Sequence, residues 1–227
     1  MLAYRHEYKY LLNACQEQDL LLRCGAVLQP DPHVSADGTY LIRSLYFDDP
    51  EESCLMENLN GDDARVKFRI RRYNDRTDRI LLERKSKLHG LTHKDSCMIT
   101  EDECLQLMDG DYPRITPDMP SAKQQLLLEM THRRLFPKVI VSYERVPFVF
   151  DAGNVRVTFD RKITSSPDIQ CFLENDYARR PIFPCGTSLL EVKWDELLPP
   201  HLKLLLQTDG LHRTAFSKYA LCRSYHL

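Results

Sequence analysis

The alternation of charged and apolar residues in two neighbouring segments constrains this chain most. Residues 65–71 carry a lysine or arginine at every second position, with apolar residues between them, and residues 79–88 repeat much of this pattern. Because successive side chains of a strand point to opposite faces, we predict two adjacent strands with one charged and one apolar face. On the charged face we expect Lys67, Arg69, Arg71, Glu83, Lys85 and Lys87.

The charge distribution supports a role for this face. The 227 residues carry a net charge of -2, which by itself favours no polyanionic partner. The stretch Arg65–Lys94, however, contains eleven basic and three acidic residues, a local charge of +8 that leaves -10 on the remainder. Clustered cations repel one another once water is partly excluded, so they imply a bound polyanion or compensating acids. A solvated basic face is the alternative.

The rest of the pattern predicts an α+β chain, mostly an antiparallel sheet of about eight or nine strands with helices outside it. Helices are expected after the possible capping pairs Asn13–Gln16, Thr100–Glu103 and Ser121–Gln124, and also before Gly61, near 199–206 and near 215–225. Further strands are expected at 4–12, 39–47, 92–99, 139–145, 148–150, 155–163 and 188–194.

The length favours one domain over residues 1–227, with a long loop at 164–186 where no period is visible. The eight cysteines include no C-x-x-C pair, which favours free thiols. No stretch approaches the roughly 18 apolar residues of a membrane helix, so we expect a cytoplasmic protein without direct membrane insertion.

Several functional classes are disfavoured. Neither G-x-x-x-x-G-K-[ST] nor G-x-G-x-x-G occurs, so side chains would have to hold any phosphate. No local signature of a catalytic triad is present. Single-stranded nucleic acid needs aromatic stacking platforms, and Phe68 alternates to the face opposite the cations. We therefore expect no nucleic-acid partner.

The other predicted strands supply more cations and a few acids. A divalent metal on phosphate needs hard oxygen ligands, for which Glu191 is the best candidate, followed by Glu7, Glu83 and Asp160. A salt bridge to a nearby cation is the alternative role for Glu83 and for Glu191. The additional strand cations are Lys9, Lys94, Arg145, Arg156 and Lys193.

Seven motifs in order resemble the VTC domain, the polyphosphate polymerase domain of the vacuolar transporter chaperone complex. That domain belongs to the triphosphate tunnel metalloenzyme superfamily, with the CYTH adenylate cyclases, thiamine triphosphatases and RNA triphosphatases. The resemblance implies a closed antiparallel barrel of about eight strands whose interior holds a small ligand. The motifs are Tyr4-Arg5-x-Glu7-x-Lys9-Tyr10, Ser44-Leu45-Tyr46-Phe47-Asp48, Lys67-Phe68-Arg69-Ile70-Arg71-x-Tyr73, Leu82-Glu83-Arg84-Lys85, Ser142-Tyr143-x-Arg145, Leu190-Glu191-Val192-Lys193 and Phe216-Ser217-Lys218-Tyr219.

The resemblance implies phosphate contacts from Lys9, Arg69, Arg71, Lys85, Lys94, Arg145, Ser217 and Lys218, and metal binding by Glu191. Combined with the strand pattern, it gives three expected groups. The catalytic group is Lys9, Arg69, Arg71, Lys85, Arg145 and Lys218. The substrate-binding group is Lys67, Lys94, Arg156, Lys193 and Ser217, and the metal ligands, for Mn2+ or Mg2+, are Glu191 and Glu7.

One position departs from the wider superfamily. Its E-x-E-x-K strand has Arg5 here in place of the first acid, which disfavours the triphosphatase and cyclase branches and fits the polymerase branch. We therefore expect an enzyme that transfers the gamma phosphate of ATP to inorganic polyphosphate. A triphosphatase and a non-catalytic polyphosphate-binding module remain the alternatives. Nothing in the chain resembles an SPX domain, so we expect a free-standing domain.

Overall fold

The computed structural model describes residues 5–226 and contains, in that range, the strands and helices expected of an α+β chain. The strands are β1 (His6–Leu12), β2 (Gln29–Pro30), β3 (Tyr40–Asp48), β4 (Arg65–Tyr73), β5 (Ile80–Leu88), β6 (Leu91–Ile99), β7 (Phe136–Phe150), β8 (Val155–Ser166), β9 (Arg180–Pro181) and β10 (Ser188–Trp194). The helices are α1 (Ala14–Val27), α2 (Ser53–Asn60), α3 (Glu101–Asp109), α4 (Ser121–Arg133), α5 (Pro200–Leu205) and α6 (Lys218–Ser224).

The hydrogen-bonded strand order is β1-β10-β8-β7-β3-β4-β5-β6, with β2 beside β7 and β9 beside β8. The pairs with a described register are antiparallel, which confirms the predicted sheet. Within residues 5–226 this order has two end strands, β1 and β6, so the closed ladder that the resemblance implied is not found. Alternation along a strand determines which face is buried, but not whether the first and last strands pair.

The chain divides into two compact units, and its prediction as a single domain stays a prediction. The first unit contains the described residues up to Leu41, Tyr143–Ile163 and Pro181–Phe216. The second contains Ile42–Ser142, Thr164–Arg180 and the residues from Ser217. Each unit has its own cluster of buried apolar residues. In each unit, the apolar face of the sheet packs against helices and the opposite face carries the charged side chains.

In the second unit, the apolar face of β3–β6 packs against α3 and α4. Phe68, Ile70 and Leu82 lie in the same buried cluster as Leu107 from α3 and Leu126 from α4. The alternation predicted for β4 and β5 is thereby confirmed, because Phe68, Ile70 and Leu82, which alternate with the charged residues, are core residues. Burial of this face leaves the cationic side chains on the other one.

In the first unit, β1, β8 and β10 bury their apolar face with α1 and α5. Phe159, Leu190 and Val192 share a cluster with Leu20 of α1 and Leu202 of α5. The predicted capping pair at the start of α1 is confirmed. The backbone N–H of Gln16 donates to Asn13 Oδ1 at 2.9 Å, and the backbone N–H of Asn13 donates to Gln16 Oε1 at 3.1 Å. Two backbone donors at the helix end are thus satisfied.

The pair Thr100–Glu103 also forms the expected capping box, at the start of α3. The third predicted pair is wrong. Ser121 is the first residue of α4 rather than its cap, and the cap position is Pro120. The Gln124 side chain donates instead to the carbonyls of the preceding loop, among them Met119 O at 2.8 Å. A local pattern alone does not distinguish these two uses of a glutamine.

Residues 164–186 are more ordered than the predicted long loop. β8 continues to Ser166, and the 3-10 helix Ile169–Leu173 follows it. Two buried arginines from the sheet hold this segment: Arg43 Nη1 donates to Phe172 O at 3.1 Å, and Arg72 Nη1 donates to Leu173 O at 2.8 Å. These partners are 129 and 101 residues apart in the chain, so no local sequence pattern could indicate them.

Two further predictions can be compared with the structure. All eight cysteines are free, as their spacing predicted. None of the helices within residues 5–226 has the length and apolar character needed to span a membrane.

Candidate functional site

The second unit carries a cationic face, which we define as the side chains of Lys67, Arg69, Arg71, Glu83, Lys85 and Lys94 on β4, β5 and β6. The strand register aligns Lys67, Lys85 and Lys94 in one row across the three strands. Arg69 and Glu83 form the next row. Five of the six members are cations, so the sheet concentrates the positive charge that the sequence pattern predicted.

Glu83 is the carboxylate of the cationic face, and its side chain is 0% exposed. It accepts hydrogen bonds from Arg69 Nε at 2.7 Å and from Lys94 Nζ at 3.1 Å, while Arg71 Nη1 lies 3.6 Å away. Burial by itself would raise the pKa of the Glu83 carboxyl, but Arg69, Arg71 and Lys94 outweigh it and hold that pKa well below its usual value. One ionised carboxylate therefore orders three cations.

The two arginines are also held from β3. Arg69 Nη1 donates to the Tyr46 hydroxyl at 2.9 Å, and Arg71 Nε donates to Ser44 Oγ at 3.1 Å. Each guanidinium thus has partners on both neighbouring strands, which fixes its direction. Cations that are fixed before a ligand binds lose less side-chain freedom on binding.

Two buried tyrosines lie beside the cationic face. The Tyr46 and Tyr219 rings are 5.3 Å apart, and Lys67 Nζ lies 5.1 Å from the centroid of Tyr219. Tyr46 and Tyr219 are only 6% and 2% exposed, however, so their rings offer no stacking platform to a base.

The start of α6 contacts β3 and β4 of the second unit. Lys67 Nζ donates to Ser217 Oγ at 3.1 Å, and the Tyr219 hydroxyl hydrogen-bonds Asp48. Ser217 also caps α6 by accepting from the Ala220 amide at 3.3 Å. The predicted residue Ser217 thus caps α6, and Lys218 is the first residue of the helix. The structure places Ser217 beside Lys67.

The first unit carries a mixed-charge face, which we define as the side chains of Glu7, Lys9, Arg145, Asp160, Glu191 and Lys193. The register aligns Glu7 of β1 with Lys193 of β10, and Lys9 with Glu191. Asp160 follows on β8, where it aligns with Leu189. Three cations and three carboxylates make this face formally neutral, unlike the cationic face.

Four of these residues form a ring of alternating charge. Lys193 Nζ lies 3.2 Å from Glu7 Oε1 and 3.2 Å from Glu191 Oε2. Lys9 Nζ lies 3.4 Å from Glu7 Oε2 and 3.8 Å from Glu191 Oε1, and it donates to Phe216 O at 2.9 Å. The two expected metal ligands are therefore close together and shared by two lysines.

Arg145 and Asp160 form a buried bidentate pair. Arg145 Nε and Nη2 donate to the two oxygens of Asp160 at 2.6 and 2.8 Å, and Arg145 Nη2 lies 3.6 Å from Glu191 Oε2. Burial by itself would lower the pKa of the Arg145 guanidinium, but Asp160 above all, with Glu191 contributing, raises it well above its usual value. The guanidinium is a permanent cation.

Arg156 has other partners than the mixed-charge face. Its Nη2 donates to the Tyr40 hydroxyl at 2.6 Å and lies 2.8 Å from Asp31 Oδ2. Arg5 forms an ion pair with Asp195 at 2.7 Å. Both arginines are thus engaged with residues outside the two defined faces.

The carboxylates suit a hard divalent cation in part. Glu7 and Glu191 are oxygen donors on one face, and Mg2+ is commonly held by one or two carboxylates together with substrate phosphates. Within residues 5–226, no group of three or more His, Cys, Asp or Glu side chains is placed to hold a metal. The donor set therefore fits such an ion only when a ligand supplies further oxygens.

The sequence prediction named the residues of the two faces but missed the side chains of β3 beside the cationic face. The structure groups Lys67, Arg69, Arg71, Lys85 and Lys94 on one face, and Glu7, Lys9, Arg145, Glu191 and Lys193 on the other. Tyr46, Ser44 and Asp48 were not predicted as site residues, although they alternate on β3 toward the cationic face. Their signal was available in the motif Ser44-Leu45-Tyr46-Phe47-Asp48.

Several solved structures have a similar fold. A proposed adenylyl cyclase from Hippeastrum, described as having a dominant triphosphatase activity, has a TM-score of 0.57 at 16% identity, covering 99% of this chain and 96% of that one. A proposed adenylate cyclase from Bacillus halodurans has a TM-score of 0.50 at 12% identity, covering 89% and 87%. One from Vibrio parahaemolyticus has 0.51 at 10% identity, covering 97% and 98%. These likenesses concern the fold alone.

A comparison with curated proteins gives no significant match. The family comparison is decisive, because the model of the VTC domain matches residues 4–226, nearly the whole chain. The match covers both polar faces, and it confirms the resemblance found in the sequence motifs. The chain belongs to the VTC domain family.

Proposed function

We propose that this chain is a metal-dependent phosphotransferase that extends inorganic polyphosphate with the gamma phosphate of ATP. The observation that carries the proposal is the excess of cations over carboxylates on the cationic face, in a chain of the VTC domain family. A face with five cations and one carboxylate is electrostatically costly unless a polyanion neutralises it. Polyphosphate and the triphosphate of ATP supply that charge.

Each group has a proposed role. Arg69, Arg71 and Lys85 stabilise the charge on the peripheral oxygens of the phosphoryl group in transfer, and Lys218 acts with them. Lys9 and Arg145 bind phosphate from the mixed-charge face. Lys67, Lys94, Arg156, Lys193 and Ser217 are proposed to hold the substrates.

The reaction needs little acid–base chemistry. A terminal phosphate oxygen of the growing chain is already anionic near neutral pH, so it attacks the gamma phosphorus of ATP without a strong base. The bond from the gamma phosphorus to the bridging oxygen breaks, and ADP leaves. Fixed arginines and lysines lower the barrier because they face the developing charge without having to reorient.

Glu191 and Glu7 are the proposed ligands of Mg2+ or Mn2+. Such an ion, when bound, neutralises charge on phosphate oxygens. Its entry would require the two carboxylates to exchange their contacts with Lys9 and Lys193. The exchange would leave both lysines available to phosphate oxygens.

A triphosphatase would use water in place of the polyphosphate end, and the fold likeness to the Hippeastrum protein makes it the second candidate. A silent binding module is the third. Incubation of the purified chain with ATP and Mn2+ or Mg2+ distinguishes them. We expect long chains on a polyphosphate-stained gel. Free phosphate without chains would favour the triphosphatase, and unchanged ATP would favour the binding module.

Charge variants make the assay specific to the proposed site. Arg69→Ala should lower the rate of chain formation about 100-fold or more, whereas Lys162→Ala, which removes an exposed lysine paired with Glu144, should leave it unchanged. Equal losses in both variants would point to a general charge effect rather than to the cationic face.

A further inference from the structure

A buried hydroxyl on the mixed-charge side of β8 has no hydrogen-bond partner within residues 5–226. Thr158 is 1% exposed, and its Oγ1 makes no hydrogen bond to any residue that the structure describes. Buried polar groups in folded proteins are nearly always hydrogen-bonded, because loss of water without a replacement partner is unfavourable. An orphan of this kind therefore calls for an explanation.

The register of the strands shows which residues lie across from Thr158. Thr158 aligns with Glu191 on β10, and Glu191 aligns in turn with Lys9 on β1. Its neighbours in sequence, Val157 and Phe159, belong to the apolar cluster of the first unit. Because side chains alternate along a strand, the hydroxyl lies on the face that carries Lys9 and Glu191.

Packing does not explain a threonine at this position. Valine has nearly the same shape and equal preference for strands, and it would fill the site without an unsatisfied hydroxyl. The hydroxyl therefore adds a cost to the unliganded protein. A ligand that accepts a hydrogen bond from this hydroxyl would remove that cost.

We propose that the Thr158 hydroxyl donates a hydrogen bond to a phosphate oxygen of a triphosphate or polyphosphate bound at the mixed-charge face. This inference rests on the proposed function. A phosphate oxygen fits better than a metal ion, because the ion would use the hydroxyl oxygen and leave its proton unpaired. A neutral donor also suits a face on which the charges of Lys9, Arg145 and Lys193 are already balanced by three carboxylates.

The test compares Thr158→Val with Thr158→Ser, which keeps the hydroxyl, by calorimetric titration of tripolyphosphate in EDTA and by thermal unfolding without ligand. Ser188→Ala is the matched control, because Ser188 Oγ is also buried without a partner but lies on the apolar face, across from Leu12. We expect Thr158→Val to bind about 10-fold more weakly, as for loss of one hydrogen bond to a charged group. Thr158→Ser and Ser188→Ala should bind within about 3-fold of wild type.

The unfolding temperature separates binding from structure. Because Thr158→Val removes a buried hydroxyl without a hydrogen-bond partner among the described residues, we expect the variant to unfold at the same temperature as wild type or higher. The inference would be overturned if Thr158→Val unfolded at a clearly lower temperature than wild type. It would also be overturned if both proteins bound tripolyphosphate with the same affinity. Either result would leave the proposed function intact. If wild type binds no tripolyphosphate with or without Mn2+, the proposed function fails and the inference fails with it. Titration of Mn2+ alone should give the same result for Thr158→Val and wild type.

Discussion

Replacing Glu83 with glutamine tests the electrostatics of the cationic face. The substitution keeps the shape of a side chain that is 0% exposed but removes the charge that Arg69, Arg71 and Lys94 share. Removing one partner of a buried ion pair costs about 3–5 kcal/mol, because the remaining charge stays buried. Lys94 is 49% exposed and can return to water, so we expect a loss of about 3 kcal/mol at pH 7.

The pH dependence of this loss has a definite sign. The pKa of Glu83 lies well below its usual value in the folded protein, so its contribution is complete above the unfolded pKa, about 4.3, and is lost as the pH falls toward the folded pKa. The stability gap between wild type and Glu83→Gln should be constant from about pH 7 to about pH 5 and shrink by about 1.4 kcal/mol per pH unit below about 4.3.

Urea unfolding followed by circular dichroism at several pH values measures the gap. Glu144→Gln is the control, because Glu144 pairs at 3.0 Å with Lys162, which is 77% exposed, and such a pair contributes under about 1 kcal/mol. A gap below about 1 kcal/mol at pH 7, or one that widens in acid, would refute this account of Glu83.

Three further predictions concern Arg71 and Glu191 on the two faces and Tyr219 beside the cationic face. Arg71→Ala, like Arg69→Ala, should lower ATP turnover about 100-fold or more in a steady-state assay, and near-normal turnover in both would exclude them from the site. Tyr219→Phe removes the hydrogen bond to Asp48 and should cost about 1–2 kcal/mol in urea unfolding; unchanged stability would contradict that contact. Glu191→Gln should abolish the response of activity to Mn2+ while tripolyphosphate still binds in EDTA, and an unaltered Mn2+ titration would exclude it as a ligand.

The sequence predicted the faces of the strands well, because alternation is a local property. Lys67, Arg69 and Arg71 share one face with Glu83 and Lys85, and Phe68, Ile70 and Leu82 between them belong to the core. Capping residues such as Asn13 and Thr100 act over three positions, so they too could be read from the chain.

The contacts that complete each face could not be read this way. Tyr219 and Asp48 are 171 residues apart, and which hydroxyl meets which carboxylate depends on how α6 packs. The sequence shows that residue 158 is a threonine. It does not show that the hydroxyl lacks a hydrogen-bond partner among the described residues, because this depends on all the side chains that pack around it. Closure of the sheet is equally non-local, and there the prediction failed.

The central claim is that polyphosphate, rather than water, accepts the phosphoryl group of ATP. The most direct measurement is the mass balance of a reaction with gamma-labelled ATP and Mn2+, in which ADP, orthophosphate and labelled chains are quantified together. We predict that ADP accumulates with an equal amount of label in long chains and little label in orthophosphate. Label recovered mainly as orthophosphate, in step with ADP, would contradict the account.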